Sequence, residues 1–178
     1  MNLNNIFKKV SGVALAGAIA FAGFAGTANA APEGTTEGTN TVPQLTKTVN
    51  VGDTGYFGGG TFNFTITEVK ITDDNGGSYA GYNNQTGGNL IGETASIELE
   101  PGDTTGNVKV TVNQPAANLP VGVYRYQVTE NESGISGMND SEATYYIDVF
   151  VQRTNVNNVE GREIAYYIVH DGENKVNP

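Results

Sequence analysis

GVYRYQVTE, residues 122–130, alternates with period two: Tyr124, Tyr126 and Val128 fall on one side, Arg125, Gln127 and Thr129 on the other. That is the pattern of a strand with one apolar and one polar face. The apolar row ends on Glu130, so parity points a carboxylate at the interior and sends Arg125 outward. A second stretch supplies the opposite charge. In QLTKTVNV, residues 44–51, Leu45, Lys47, Val49 and Val51 share one face, while Thr46, Thr48 and Asn50 share the other. An unpaired ammonium is strongly disfavoured in an apolar interior, so Lys47 has to meet a carboxylate, lose its proton, or react.

The same period runs through the rest of the chain. Phe62, Phe64 and Ile66 alternate, and the apolar parity then shifts to Val69 and Ile71, as a bulge or a strand bend produces. Ala95, Ile97 and Leu99 follow, then Val108, Val110 and Val112. Tyr145, Ile147, Val149 and Val151 come next, and Ile164, Tyr166 and Ile168 end the series. Between them lie turn clusters such as GDTGYFGGG, NNQTGGN, PGDTTGN and ENESGISGMND, rich in Gly, Asn and Asp. No helical stripe of useful length occurs. The expected fold is all-β, an antiparallel immunoglobulin-like β-sandwich of about seven strands.

The chain start has a different composition. Lys8 and Lys9 precede an apolar run from Val13 to Ala25, and Ala28-Asn29-Ala30 has the small residues of a cleavage site. Residues 1–30 therefore have the organisation of a secretory signal peptide, and their Ala- and Gly-rich run is shorter than the ~20 residues a membrane helix requires. Residues 31–41, rich in Pro, Glu, Gly and Thr, are expected to form a flexible leader, with one domain over 42–178. Removing the signal leaves seven basic against nineteen acidic residues, a formal charge of −12. This argues against nucleic acid as a partner, and nothing beyond the signal suggests membrane insertion. The absence of cysteine excludes thiol nucleophiles, zinc–thiolate sites and disulfides.

Taken in order, QLTKTV, GTFNFTITEV, VGVYRYQVTE, ATYYIDVFV and IAYYIVHDGENKV resemble the isopeptide-forming pilin domain of Gram-positive surface proteins, the streptococcal major-pilin (T-antigen) type. The resemblance extends from about Val42 to Lys175, and GVYRYQVTE is its most specific part. It implies that Lys47 on the first strand bonds covalently to an asparagine on the last, with Glu130 as the assisting acid and no cofactor or metal. It also places the bonding asparagine beyond Pro178, on a final strand that follows the present end; Asn174 and Asn177 sit in a polar segment like the turn before that strand. Lys175 matches the lysine that accepts the next subunit from a sortase, although an exposed turn lysine has the same appearance. The implied partners are other pilin subunits and sortase, with host surface or matrix as a further contact. The implied location is exported, at the cell surface, in the cell wall or in a pilus, where the chain serves as a pilin subunit or adhesin stalk.

Other readings stand beside this one. Lys47 has two ordinary roles open to it, snorkelling to solvent or forming an ion pair with Glu130. A ligand-binding adhesin domain that recognises glycan or host matrix without a cross-link is the alternative function. An enzyme is not expected: His170 is the only histidine, no G-x-S-x-G occurs, and no paired-carboxylate cleft is evident. Asp73-Asp74-Asn75 lacks the spacing of a calcium loop.

Overall fold

The structure, a computed structural model, describes residues 15–21, 42–53, 55–71, 84–113, 116–171 and 174–175. Eleven strands and one short 3-10 helix, Ala116–Asn118, make up its regular structure. The strands are β1 (Leu15–Phe21), β2 (Gln44–Asn50), β3 (Gly60–Val69), β4 (Asn84–Gln85), β5 (Thr94–Leu99), β6 (Thr105–Lys109), β7 (Gly122–Glu130), β8 (Met138–Asn139), β9 (Thr144–Val156), β10 (Val159–Asp171) and β11 (Asn174–Lys175). Seven strands of five or more residues lie after residue 41, in keeping with the period-two segments of the sequence. The expected flexible leader and the Asp73-Asp74-Asn75 turn lie outside the described residues.

Two sheets form, an all-β, sandwich-like arrangement. The smaller runs β6-β2-β1-β8; the larger runs β11-β10-β9-β7-β3-β5, with β4 pairing alongside β7. Neighbouring strands are antiparallel except for β1 with β8 and β4 with β7. The main core fills with the inward rows predicted by alternation: Leu45 and Val49 from the small sheet against Phe62, Phe64, Ile66, Ile97, Leu99, Tyr124, Tyr126, Val128, Ile147, Val149 and Val151 from the large one. Aromatic and β-branched residues suit this role, since their bulk stands perpendicular to a pleated surface and packs across it. The buried Tyr124 hydroxyl donates to the Pro120 carbonyl oxygen at 2.9 Å, so its polar end is satisfied.

Three expectations need correction. First, of the bulge and the strand bend expected at the parity change, the bulge is ruled out, because β3 pairs with β7 in continuous register from Phe64↔Glu130 to Val69↔Arg125. Ile71 instead joins Val123, Phe150 and Ile168 in a second cluster, against which Ala165 and Tyr166 pack. Second, β10 carries the bulge: its register with β9 shifts between Ile164 and Tyr166. Ile164 and Tyr167 consequently belong to the main core while Tyr166 and Ile168 belong to the second cluster, so the three residues read as one row occupy two faces. Third, Arg125 does not face solvent. It is 8% exposed and forms a two-pronged pair with the buried Asp148, Nε to Oδ1 at 2.6 Å and Nη2 to Oδ2 at 2.7 Å. The large sheet is thus covered on both sides around β7 and β9.

Candidate functional site

β2 and β7 lie in different sheets, and each carries its charged residue on the row that faces the other. Lys47 Nζ donates to Glu130 Oε1 at 2.6 Å and to Oε2 at 2.8 Å, and both side chains are fully shielded from solvent. The Phe62 ring centroid is 4.6 Å from the ammonium nitrogen, close enough for the ring face to attract the cation. Phe62 and Phe64 are both fully buried, so the pair sits in an apolar frame. Lys47 does not snorkel. Its neighbour across the β2–β6 ladder is Gly106, where a Cβ would stand 2.5 Å from Leu99 Cδ2 and 2.8 Å from Ile97 Cγ2. A side chain at this point of β6 would push into the core beside the lysine strand.

Burial is the largest influence on Glu130, and it raises the carboxyl pKa above its ordinary value. The hydrogen bond and charge of Lys47 oppose that rise, and Asp140 adds to it through like charge. Asp140 accepts from the Ser133 amide through Oδ2 at 2.9 Å, while its buried Oδ1 has no hydrogen-bond partner. Glu130 and Asp140 both line an open cavity of about 700 Å³, together with Glu132, Ile135, Met138 and Glu142. One side of the pair is therefore sealed by aromatic core, and the other leads toward a carboxylate-lined space.

The geometry can hold a proton in common between an amine and an acid, and can present both to a third group. Among the described residues no cluster of His, Cys, Asp and Glu could hold a metal ion. The remaining positions singled out from the sequence lie elsewhere. His170 and Lys175 are opposite one another in the β10–β11 ladder, and Asn174 pairs with Asp171. This places Lys175 in a different sheet from Lys47. Asn177 falls outside the described residues.

Two structural anchors had no reading in the sequence. Glu68 receives the amides of Gly87, Gly88 and Asn89, the latter two at 3.0 and 3.2 Å, and the Tyr126 hydroxyl at 3.2 Å. Successive amides turned onto one anion form a nest, here built on Gly87 and Asn89 with φ of 80° and 43°. Tyr126 in turn accepts from the Leu90 amide at 2.8 Å, and burial raises the pKa of its phenol. The Gly- and Asn-rich turn was visible in the sequence, but the acid that it grips was not. Asp140 was likewise unremarkable as one acid in a polar loop.

Comparison of the chain with known protein families, characterised proteins and solved structures finds no match.

Proposed function

We propose that the chain is an exported structural surface protein, a pilin subunit or stalk domain of a wall-anchored adhesin, stabilised by an isopeptide bond from Lys47 with Glu130 assisting. The observation that carries this reading is the fully buried Lys47–Glu130 contact at 2.6 and 2.8 Å. Transfer of one proton from Nζ to the carboxylate converts it into a neutral amine beside a neutral acid, the form that an apolar frame favours. The amine nitrogen then attacks an asparagine carboxamide carbon. Glu130 donates its proton toward the carboxamide as the C–N bond to nitrogen breaks, ammonia leaves, and the proton given up by Nζ returns to the acid. Each chain reacts once.

The resemblance of GVYRYQVTE and its flanking motifs implies an asparagine on the last strand as the bonding partner and Lys175 as the acceptor in polymer formation. Neighbouring subunits and sortase are the proposed partners. A bond between the first and last strands closes a loop of most of the domain and restricts the unfolded chain, an effect worth about 4 to 5 kcal/mol in the chain-entropy treatment of cross-links. The test is the intact mass of protein made from the full reading frame, followed by peptide mapping. A loss of about 17 Da with Lys47 joined to an asparagine is the expected result. Full mass with a free Lys47 overturns the reading and brings forward a ligand-binding adhesin domain held by an ordinary ion pair.

A further inference from the structure

β2 has a neighbour on each side, β6 on one and β1 on the other. The Val49 amide donates to the Thr104 carbonyl oxygen, and the Val110 amide donates to that of Pro43, so the odd-numbered residues of this strand turn their backbone polar groups toward β6. Alternation then turns those of Thr46, Thr48 and Asn50 toward β1. The register agrees, setting these three opposite Ala20, Ala18 and Ala16, with Ile19 opposite Lys47. On its far side β1 runs parallel to β8, Leu15 opposite Met138 and Ala16 opposite Asn139. Met138 lines the cavity beside Glu130. The β1 backbone therefore bridges the strand that carries Lys47 and the loop that flanks its partner.

Leu15–Phe21, LAGAIAF, is uncharged and lies within the segment that has the organisation of a cleaved signal. Every described strand after residue 41 already has its own place in the two sheets, and none other than β1 occupies the position between β2 and β8. A strand edge with unpaired amides and carbonyls is a template for another strand. We propose that the place between β2 and β8 is a strand-acceptor slot, filled by Leu15–Phe21 in the full chain and vacated when the leader is cut away. The leader thus covers the β2 edge beside Lys47 until it is removed. This rests on reading residues 1–30 as a removable leader, and it gives the Lys47 site a means of timing.

Residue-resolved amide exchange on the full chain tests the slot without using the chemistry of Lys47. Ala18→Pro removes a donor directed at Thr48. It should speed exchange at Thr46 and Thr48 at least tenfold while leaving Lys47, Val49, Tyr126 and Ile147 unchanged. A full chain carrying a protease site between Glu33 and Gly34, folded first and then cut and freed of its leader, should show the same gain. A synthetic LAGAIAF peptide with flanking lysines should reverse it, including any wider loss of protection that cutting causes. Slow exchange at Thr46 and Thr48 in a cut, leader-free monomer overturns the proposal, as does failure of the peptide to restore protection. Retained protection in a dimer supports the slot, with a second copy as occupant. Because Lys47→Met leaves the backbone slot in place, a protein without any isopeptide bond still gives the expected exchange pattern if the slot exists.

Discussion

Lys47 Nζ contacts both carboxylate oxygens of Glu130, at 2.6 and 2.8 Å, although 83 residues separate the two along the chain. The contact joins the small sheet to the large one through a charge pair in the middle of an aromatic core. Removing either partner leaves the other buried and uncompensated. In the unbonded chain, Lys47→Met and Glu130→Gln should each cost about 3 to 5 kcal/mol, while Lys47→Met with Glu130→Leu should fall close to the parent. Urea midpoints for the three variants check this. Additive losses in the double variant would show that the pair is not a mutual compensation.

The raised carboxyl pKa of Glu130 fixes the sign of a pH effect. Between the unfolded and folded values the native state holds the extra proton, so the stability contributed by this group is fullest below the ordinary carboxylate range. It is lost as the pH rises through the raised folded value. Glu130→Gln cannot titrate, so the stability of the parent relative to this variant should decline over that window. Denaturation midpoints of both proteins across the acid range measure the difference, and the opposite slope refutes it. Asp140→Asn removes a like charge and should bring the Glu130 carboxyl resonance to titrate at lower pH.

Arg125 and Asp148 face each other in the β7–β9 register as well as through their two hydrogen bonds. Asp148→Asn leaves the guanidinium without its charge partner in a nearly closed site and should cost about 3 to 5 kcal/mol. Exchanging the pair together for Met and Leu should recover most of that loss. Thermal unfolding of the single and double variants decides the matter.

Gly106 owes its identity to closeness rather than to an unusual backbone angle. The nearest atoms to an added Cβ are branch methyls of Leu99 and Ile97, both in the packed core. Gly106→Ala should destabilise by about 1 to 3 kcal/mol through overpacking. It should also disturb the Lys47 ladder position opposite, seen as faster exchange at the Lys47 amide. A neutral result would show that β6 can move away from β5 without cost.

The legibility of the fold varied with how many faces of a strand are covered. β2 and β5 bury one face, so Leu45, Lys47 and Val49, or Ile97 and Leu99, were found by counting in twos. The same counting places Lys47 and Glu130 each on an interior face, and the structure brings them into contact. It failed for Arg125 because β7 is buried on both sides from Gly122 to Tyr126, and alternation carries no information where both rows are inside. It failed at Ile71 because the interior changes from one face of the large sheet to the other, which looks the same in sequence as a bulge. The true bulge, between Ile164 and Tyr166, leaves no mark in the sequence, since Tyr166 and Tyr167 suit either row. Glu68 was illegible for another reason: its partners lie 19 to 58 residues away, and no local pattern marks such a meeting. Asp140 meets Ser133 within its own loop, seven residues back, but nothing in a polar loop distinguishes one acid from its neighbours.

The β9–β10 hairpin has a consequence for the order in which the molecule assembles. Its two strands of thirteen residues are joined at Asn157 and Asn158, whose φ angles of 53° and 63° are those of a tight turn matched to strand twist. Such a hairpin closes within about 1 to 10 μs, because its ends are already close along the chain. Lys47 has to find Glu130 across a much longer loop, so their meeting belongs to the late part of folding. The proposed covalent bond would then form only in chains whose fold is complete, since chains that stall or mispair never bring the two groups within reach.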